Sequence, residues 1–430
     1  MSESEDTADL LTVDQAISII DNTPVEPRLI DLPLQEAQGL RLAQDLPADR
    51  DYPPFDKALM DGFAVRCEDV ATLPAELALV GEIAAGSSAS RPLEQGEAMA
   101  IMTGAPLPPG ADGVVPVEDV ASADVRLGGK IRILRADSPG RYVSTAGSDA
   151  RAGAVLVPAG AKLDAAQLAV AASVGAARVK ACAAPRVAVI STGDEIVPFN
   201  QTPVPAQIRG CNGIMLTALL RRLDCRPVDL GLLPDRRDAI RQALIKGMQL
   251  DAVAVSGGMS MGRYDFVPTL LAELGVEMKI TKLRIKPGKS FVFGIIDRAA
   301  LARKLVELDE MPLQGNPGGA CYVFGLPGNP VSAFVCTVRL VSRLLDRLAG
   351  GRPEDRWLAG RLGSPLAANG PREFYQPATL ERNHTGLIVH PMEWKGSADI
   401  FTLANADALL PRRENEPAQV PGVTVSVLEI

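Results

Sequence analysis

The sequence predicts a multi-domain chain, α/β in its middle and β-rich on both sides, and three features carry that prediction. Between Pro185 and Leu348 apolar strand runs alternate with helix-like runs, which is the pattern of a doubly wound parallel sheet with both faces covered. From about Asn22 to Ala183 the chain is made of short strands broken by Pro and Gly, and helical periodicity is rare there except near 164–174. Beyond Pro353 the short-strand pattern returns. A chain of 430 residues also exceeds one domain of roughly 100–200 residues, so two to four domains are expected.

The elements follow in order. Thr12 with Gln15 three residues later forms a helix-start signature, and the spacing of Ala16, Ile19 and Ile20 continues that helix to about Asn22. Turn signals such as Pro53-Pro54 and Pro108-Pro109-Gly110 punctuate the β-rich stretch. Strands are expected at Val187–Ile190, Pro227–Leu233, Asp251–Val255 and Tyr322–Phe324. Helices are expected at Gly213–Leu223, Arg236–Met248, Phe266–Leu274 and Val331–Leu348, the last ending at Gly350-Gly351. Residues 298–318 read as an inserted, partly helical loop without a clear core face. The expected division is therefore 1–48 with 150–183 as an N-terminal helix and linking domain and 49–149 as a β-rich domain. An α/β domain over 184–350 and a small β-domain over 351–430 complete it.

Composition narrows the function. The net charge of −8 argues against broad binding to nucleic acid or anionic membrane, so an anionic ligand needs a local cationic patch. There is no apolar run of about 18 residues, and the acidic start Met1–Asp9 lacks the features of a signal peptide. The six cysteines form no C-x-x-C pair, so neither a zinc knuckle nor a disulfide framework is expected, and the cytoplasm is the expected compartment. Only two histidines exist, His384 and His390, which disfavours a histidine triad or a multi-histidine metal site. Chemistry is left to carboxylates, lysines and Mg2+.

Three strand ends of the predicted sheet carry unusual loops, and in open sheets ligands bind at such ends. Ser191-Thr192-Gly193-Asp194-Glu195 offers backbone N–H groups and two acids able to hold a divalent cation. Ser256-Gly257-Gly258-Met259-Ser260, followed by Asp265, has paired glycines that let backbone amides wrap an anion, although Asp265 also suits a helix N-cap. Gly325-Leu326-Pro327-Gly328-Asn329-Pro330 places a capping residue and a first-turn proline at a helix start that would attract phosphate. Each alone is explained as well by ordinary structure; together they favour a phosphate-bearing ligand. The stretch 278–290 adds Lys279, Lys282, Arg284, Lys286 and Lys289 without a single acid. As a strand it would present Lys282, Arg284 and Lys286 on one face, with Leu283 and Ile285 buried on the other. Two further segments, Phe55–Phe63 with Asp61-Gly62 and Thr103–Gly110 leading to Glu118, would alone be a turn and a loop.

As an ordered set these segments resemble the molybdopterin molybdenumtransferase family, the bacterial molybdenum insertases and the E domains of plant and animal relatives. The residues that carry the resemblance are Met60–Ala64, Thr103–Asp112, Ser191–Glu195, Ser256–Asp265, Lys286–Lys289 and Gly325–Ser332. The resemblance covers the chain from Thr12 and is sharpest from Arg186 to Ser332.

It implies an elongated four-part subunit, a homodimer, and 184–350 as the molybdopterin-binding domain. The implied reaction inserts molybdate into adenylylated molybdopterin, made by a partner adenylyltransferase, and releases AMP to give molybdenum cofactor. By the same likeness Ser256, Gly257, Gly258 and Ser260, with Gly325, Pro327, Gly328, Asn329, Pro330 and Ser332, would hold the substrate. Glu195, Asp235 and Asp265 would act in catalysis and hold Mg2+. Lys286, Lys289, Arg372 and Ser397 would hold molybdate, while Asp61 and Thr103 would reach the site from the other subunit. Five positions depart from the pattern: Ser148 in place of Glu, Ser144 of Arg, Ser290 of Pro, Gln376 of Arg and Ala58 of Ser. They leave open a divergent paralogue with altered oxyanion preference, or a largely non-catalytic scaffold. A plain adenylyltransferase, whose fold is similar to 185–348 alone, leaves the β-rich segments with Asp61 and Arg372 unexplained.

Overall fold

The structure, a computed structural model, describes residues 10–121, 126–138, 140–259, 266–313, 318–384 and 386–430. The chain divides into two compact units, one of Met1–Leu32, Gly39–Ala43 and Lys180–Ile430, the other of Pro33–Gln38 and Gln44–Val179.

The second unit is built on a six-stranded sheet in the order Gly113–Pro116, Gly62–Val65, Glu97–Ile101, Ala75–Ile83, Lys130–Ile133, Val120–Ala121. Successive side chains of a strand leave on opposite faces, and here both faces are apolar. Phe63, Val65, Ala98 and Val115 join one core, while Ala64, Met99 and Val114 join another. Gly62 is required at its place, because a Cβ there would lie 2.1 Å from the Val115 carbonyl oxygen. Asp61-Gly62 opens a strand and is not a hairpin turn; the preceding strand Lys57–Ala58 pairs with Val143–Ser144 instead.

The first unit holds the α/β body. The strand order is Arg226–Leu233, Arg186–Thr192, Ala252–Ser256, Ala320–Leu326, Val292–Asp297, Glu277–Ile280. The first four run parallel, but Val292–Asp297 is antiparallel to both its neighbours, so the sheet is mixed where the sequence predicted a parallel one. Alternation again divides the side chains. Val187, Val189, Ala252 and Ala254 face a layer that includes Leu216 and Leu220 of the helix Asn212–Arg222. Ala188, Ile190, Val253 and Val255 face the helices Arg237–Gly247 and Val267–Glu273 through Ile240, Leu244, Leu270 and Leu271. Burying one such Leu or Ile contributes about 1.5–3 kcal/mol.

Of three expected segments, the first and last helices form as the sequence predicts and residues 298–307 do not. Thr12 caps the first helix, Val13–Asn22, in a reciprocal capping box with Gln15. The apolar face of that helix, Val13, Ala16 and Ile20, packs into the α/β core. Residues 298–307 form a regular helix capped by Asp297, whose Leu301 and Leu305, one turn apart, enter the core. The long helix after Pro330 continues to Leu348 through a wider turn at Thr337–Val341.

The C-terminal strands Glu373–Asn383, Gly386–Pro391, Trp357–Leu362, Thr424–Glu429 and Ala408–Arg412 pair in that order, and the last pairs back to the first. That closure makes a small barrel, which leaves no open edge within the ring. Leu362, Ala378, Val389, Leu410 and Val427 fill it. Ile285–Lys286 adds a parallel pair of residues beside Glu373–Phe374, which joins the lysine-rich segment to the barrel.

Candidate functional site

A pocket of about 940 Å³ lies in the first unit. Its cationic wall is Lys282, Lys286, Lys289 and Arg372, and its apolar wall includes Met259, Met278, Val292 and Trp394. Pro327, Asn329, Ser332 and Ser397 also line it. The fold thus brings together Lys286, Lys289, Arg372 and Ser397, which lie more than 100 residues apart in sequence at the extremes.

Arg372, Ser397 and Lys286 are each positioned by a specific contact. The Asn369 side-chain amide donates to the carbonyl oxygens of Arg372, Arg412 and Arg413, which fixes the turn that presents Arg372. The Asn329 amide donates to Ser397 Oγ at 2.7 Å, and the Val331 N–H donates to the Ser397 carbonyl oxygen at 3.1 Å. Asn329 holds the N-cap backbone position without a side-chain capping bond, and its side-chain N–H is given to Ser397. The Val331 N–H, expected to be open to a phosphate, is likewise engaged. Lys286 Nζ stands 4.9 Å from the Phe374 ring centroid, and Phe374 stacks on Trp394 at 5.4 Å.

The lysine segment is not the uniform stripe that alternation predicted. Lys279 lies in the strand Glu277–Ile280, and between Lys282 and Lys289 only Ile285–Lys286 is strand. Arg284 turns to the Leu10 carbonyl oxygen and to Glu414, and Lys279 pairs with Glu277, just outside the acid-free stretch. Two of the five cations therefore serve structure; three line the pocket.

The glycine-rich strand ends meet through a residue that sequence reading missed. Asn212, buried at the start of its helix, donates to Ser256 Oγ at 2.6 Å and to the Gly328 carbonyl oxygen at 2.7 Å. A buried amide between two loops has no sequence signature beyond its place at a helix start. Gly257 has φ +98°, and a Cβ on it would lie 2.3 Å from the Thr192 carbonyl oxygen. Gly258 has φ +62°. Gly325 lies inside its strand, and a Cβ there would overlap Met259, so it makes room for a side chain and not for a ligand. Ser260 and Asp265 lie outside the described residues.

At the first strand end Asp194 and Asp235 each accept the other's backbone N–H, at 3.0 and 3.3 Å. Asp235 Oδ1 and Ser191 Oγ are buried without a hydrogen-bond partner. Burial pushes the Asp235 carboxyl above its usual range; the Asp194 N–H opposes this, and the carboxylates of Asp194 and Glu195 add to it. Such orphaned oxygens suit a hard cation, which needs only one or two carboxylates and keeps its own waters. Among the described residues no group of three or more His, Cys, Asp or Glu is placed to hold a metal.

In the second unit Asp61 and Thr103 are joined directly. The Thr103 N–H and hydroxyl donate to Asp61 Oδ1 at 2.7 and 2.8 Å and hold that carboxyl below its usual range.

Comparison with known proteins agrees with this architecture. Residues 11–175 match the MoeA N-terminal region (domain I and II), 188–347 the probable molybdopterin binding domain, and 359–430 the MoeA C-terminal region (domain IV). A molybdopterin molybdenumtransferase of Nostoc sp. is 34% identical and is matched over 92% of this chain and 88% of its own. Molybdopterin molybdenumtransferase 1 of Mycobacterium tuberculosis is 30% identical, matched over 93% and 94%. The chain belongs to the molybdopterin molybdenumtransferase family. A crystal structure of the molybdopterin biosynthesis moeA protein from Pyrococcus horikoshii superposes with a TM-score of 0.79 at 30% identity, covering 98% of this chain and 99% of that one. The protein is accordingly a transferase of molybdenum cofactor biosynthesis that acts on a molybdopterin-related substrate. No helix among the described residues is long and apolar enough to cross a membrane.

Two departures from the family pattern turn out to be neighbours. Ser144 Oγ and Ser148 Oγ are 3.0 Å apart, and Ser148 also bonds Asp149. Two of the positions at which the sequence departs from the resemblance therefore touch each other in the fold. Gln376 donates to the Met392 carbonyl oxygen within the barrel, Ala58 is buried, and Ser290 lines the pocket.

Proposed function

We propose that this transferase inserts molybdate into adenylylated molybdopterin and releases AMP. The observation that carries the reading is the pocket where Lys282, Lys286, Lys289 and Arg372 converge beside Asn329, Ser332 and Ser397. Molybdate and a pyrophosphate are both anions, so bringing them together requires cations and aligned amides that act in a partly dry site. Lys286, Lys289, Arg372 and Ser397 would take the oxyanion, and the loops at Ser256–Gly258 and Pro327–Ser332, tied together by Asn212, the pterin phosphate. Asp235 and Glu195, with Asp265, would hold Mg2+, which supplies charge neutralisation at the pyrophosphate. No histidine base is needed; His390 pairs with Glu381 on the barrel.

The working unit in this reading is a homodimer, in which the Asp61–Thr103 pair of one subunit serves the other's site. A partner adenylyltransferase would supply the substrate, and the reaction would run in the cytoplasm. Incubation with adenylylated molybdopterin, Mg2+ and molybdate should release AMP. Absence of molybdate-dependent AMP release, with the protein folded, sinks the reading.

A further inference from the structure

We infer that Phe374 is a positioning residue for Lys286, and that its ring sets how tightly the pocket holds an oxyanion; this second clause rests on the oxyanion reading above. The strand pairing puts Lys286 directly opposite Phe374 in register, so the contact is built into the backbone and not into a mobile loop. The ammonium sits 4.9 Å from the ring centroid. The ring is itself held by Trp394, stacked on it at 5.4 Å with 26° between planes. Lys286 and Trp394 line the pocket, and Phe374 touches both.

The chemistry of the partner matters. Lys279 and Arg284 rest against carboxylates, which orient a cation and neutralise it together. An aromatic face orients a cation and leaves its charge intact, because the attraction comes from the ring quadrupole. Lys286 is therefore placed by a ring and not by a carboxylate that would compete with an incoming anion. Fixing a flexible lysine in advance also lowers the ordering cost of binding. A cation held over an aromatic face is favoured by roughly three- to thirtyfold in an equilibrium constant, depending on how dry the site is.

The test uses the full chain and orthomolybdate, measured by equilibrium dialysis, with Phe374→Leu, Phe374→Tyr, Lys286→Met and the double variant Phe374→Leu/Lys286→Met. Phe374→Leu should weaken molybdate binding roughly three- to thirtyfold, and Phe374→Tyr, which keeps the ring, should restore it. In the double variant the loss should equal that of Lys286→Met alone, since a residue acting through Lys286 has nothing left to act on. A second readout is independent of molybdate: the 13C signal of the reductively methylated Lys286 side chain should carry a ring-current shift that disappears in Phe374→Leu and persists in Phe374→Tyr. If Phe374→Leu melts early, Phe374→Met, closer in volume, carries the same comparison. An unchanged Lys286 signal, or losses that add in full in the double variant, overturns the proposal. A signal that shifts as expected while Lys286→Met binds molybdate like the parent supports the positioning and overturns the oxyanion reading instead.

Discussion

Asn212 makes two hydrogen bonds from one side-chain amide, to Ser256 and to Gly328, and so ties two strand-end loops of the site together. Asn212→Leu should cost about 1–3 kcal/mol, the usual penalty for stranding buried acceptors. It should also weaken pterin binding, because the loops lose their common anchor. Denaturant unfolding reads the first effect, and an unchanged midpoint would show that water replaces the amide at no cost. Lys286→Ala removes a charged contact outright, so molybdate binding should fall roughly ten- to a hundredfold while the protein stays folded; binding equal to the parent's would remove Lys286 from the site. Asp235 offers a pH test. Its carboxyl holds its proton more tightly folded than unfolded, so stability should fall as pH rises from the ordinary carboxylate range through the raised value. At neutral pH Asp235→Asn should therefore melt higher than the parent without metal. The parent should gain stability on adding Mg2+, and the variant should gain less. A variant that melts lower, or that responds to Mg2+ as the parent does, contradicts the assignment of this carboxylate to the cation.

At the scale of elements, the glycine loops divide into those that serve the backbone and those that leave space. Gly257 is needed for its left-handed φ and for its approach to Thr192, so Gly257→Val is not a clean probe of ligand contact. It should destabilise the protein by about 1–3 kcal/mol or more, from backbone strain and the clash together. Gly328 differs: a Cβ there would meet nothing nearer than Gly257 Cα at 3.8 Å. Gly328→Ala should leave the melting temperature near the parent's and reduce pterin binding, since the added methyl enters space beside the loop. Unchanged pterin affinity in Gly328→Ala would place the ligand elsewhere. The lysine segment gives the same lesson from the other side. Strict alternation over 282–286 required a strand longer than the one that forms, and Arg284 instead anchors the N-terminal segment and Glu414.

For the whole molecule, the proposed dimer with shared sites makes a prediction that neither residue nor element can. Asp61 and Lys286 belong to different compact units of the chain. If the Asp61 of one subunit serves the partner's pocket, Asp61→Ala and Lys286→Ala should each be impaired alone, yet mixed subunits should recover activity. In a heterodimer one site carries both lesions and the other neither, so random pairing restores up to about a quarter of the parent rate. Subunit exchange verified by mass, with no recovery, would place both residues in a site made by one chain.

Much of this protein was legible before any fold was known, and the reason is local chemistry. The capping box at Thr12, the apolar runs of the central strands, and the glycine loops that end them all report through neighbours in sequence, where steric and hydrogen-bonding rules act directly. The joint occurrence of those loops with Met60–Ala64, Thr103–Asp112 and Lys286–Lys289 carried the resemblance to the family. Tertiary structure alone decided which of five clustered cations face a pocket and which meet Glu277 or Glu414, because ion pairing depends on distance in space. It also decided that Asn212 joins two loops, that Ser144 and Ser148 are partners, and that Phe374 lies under Lys286. These contacts connect segments through strand register, helix placement and loop return, and no periodicity along the chain encodes them.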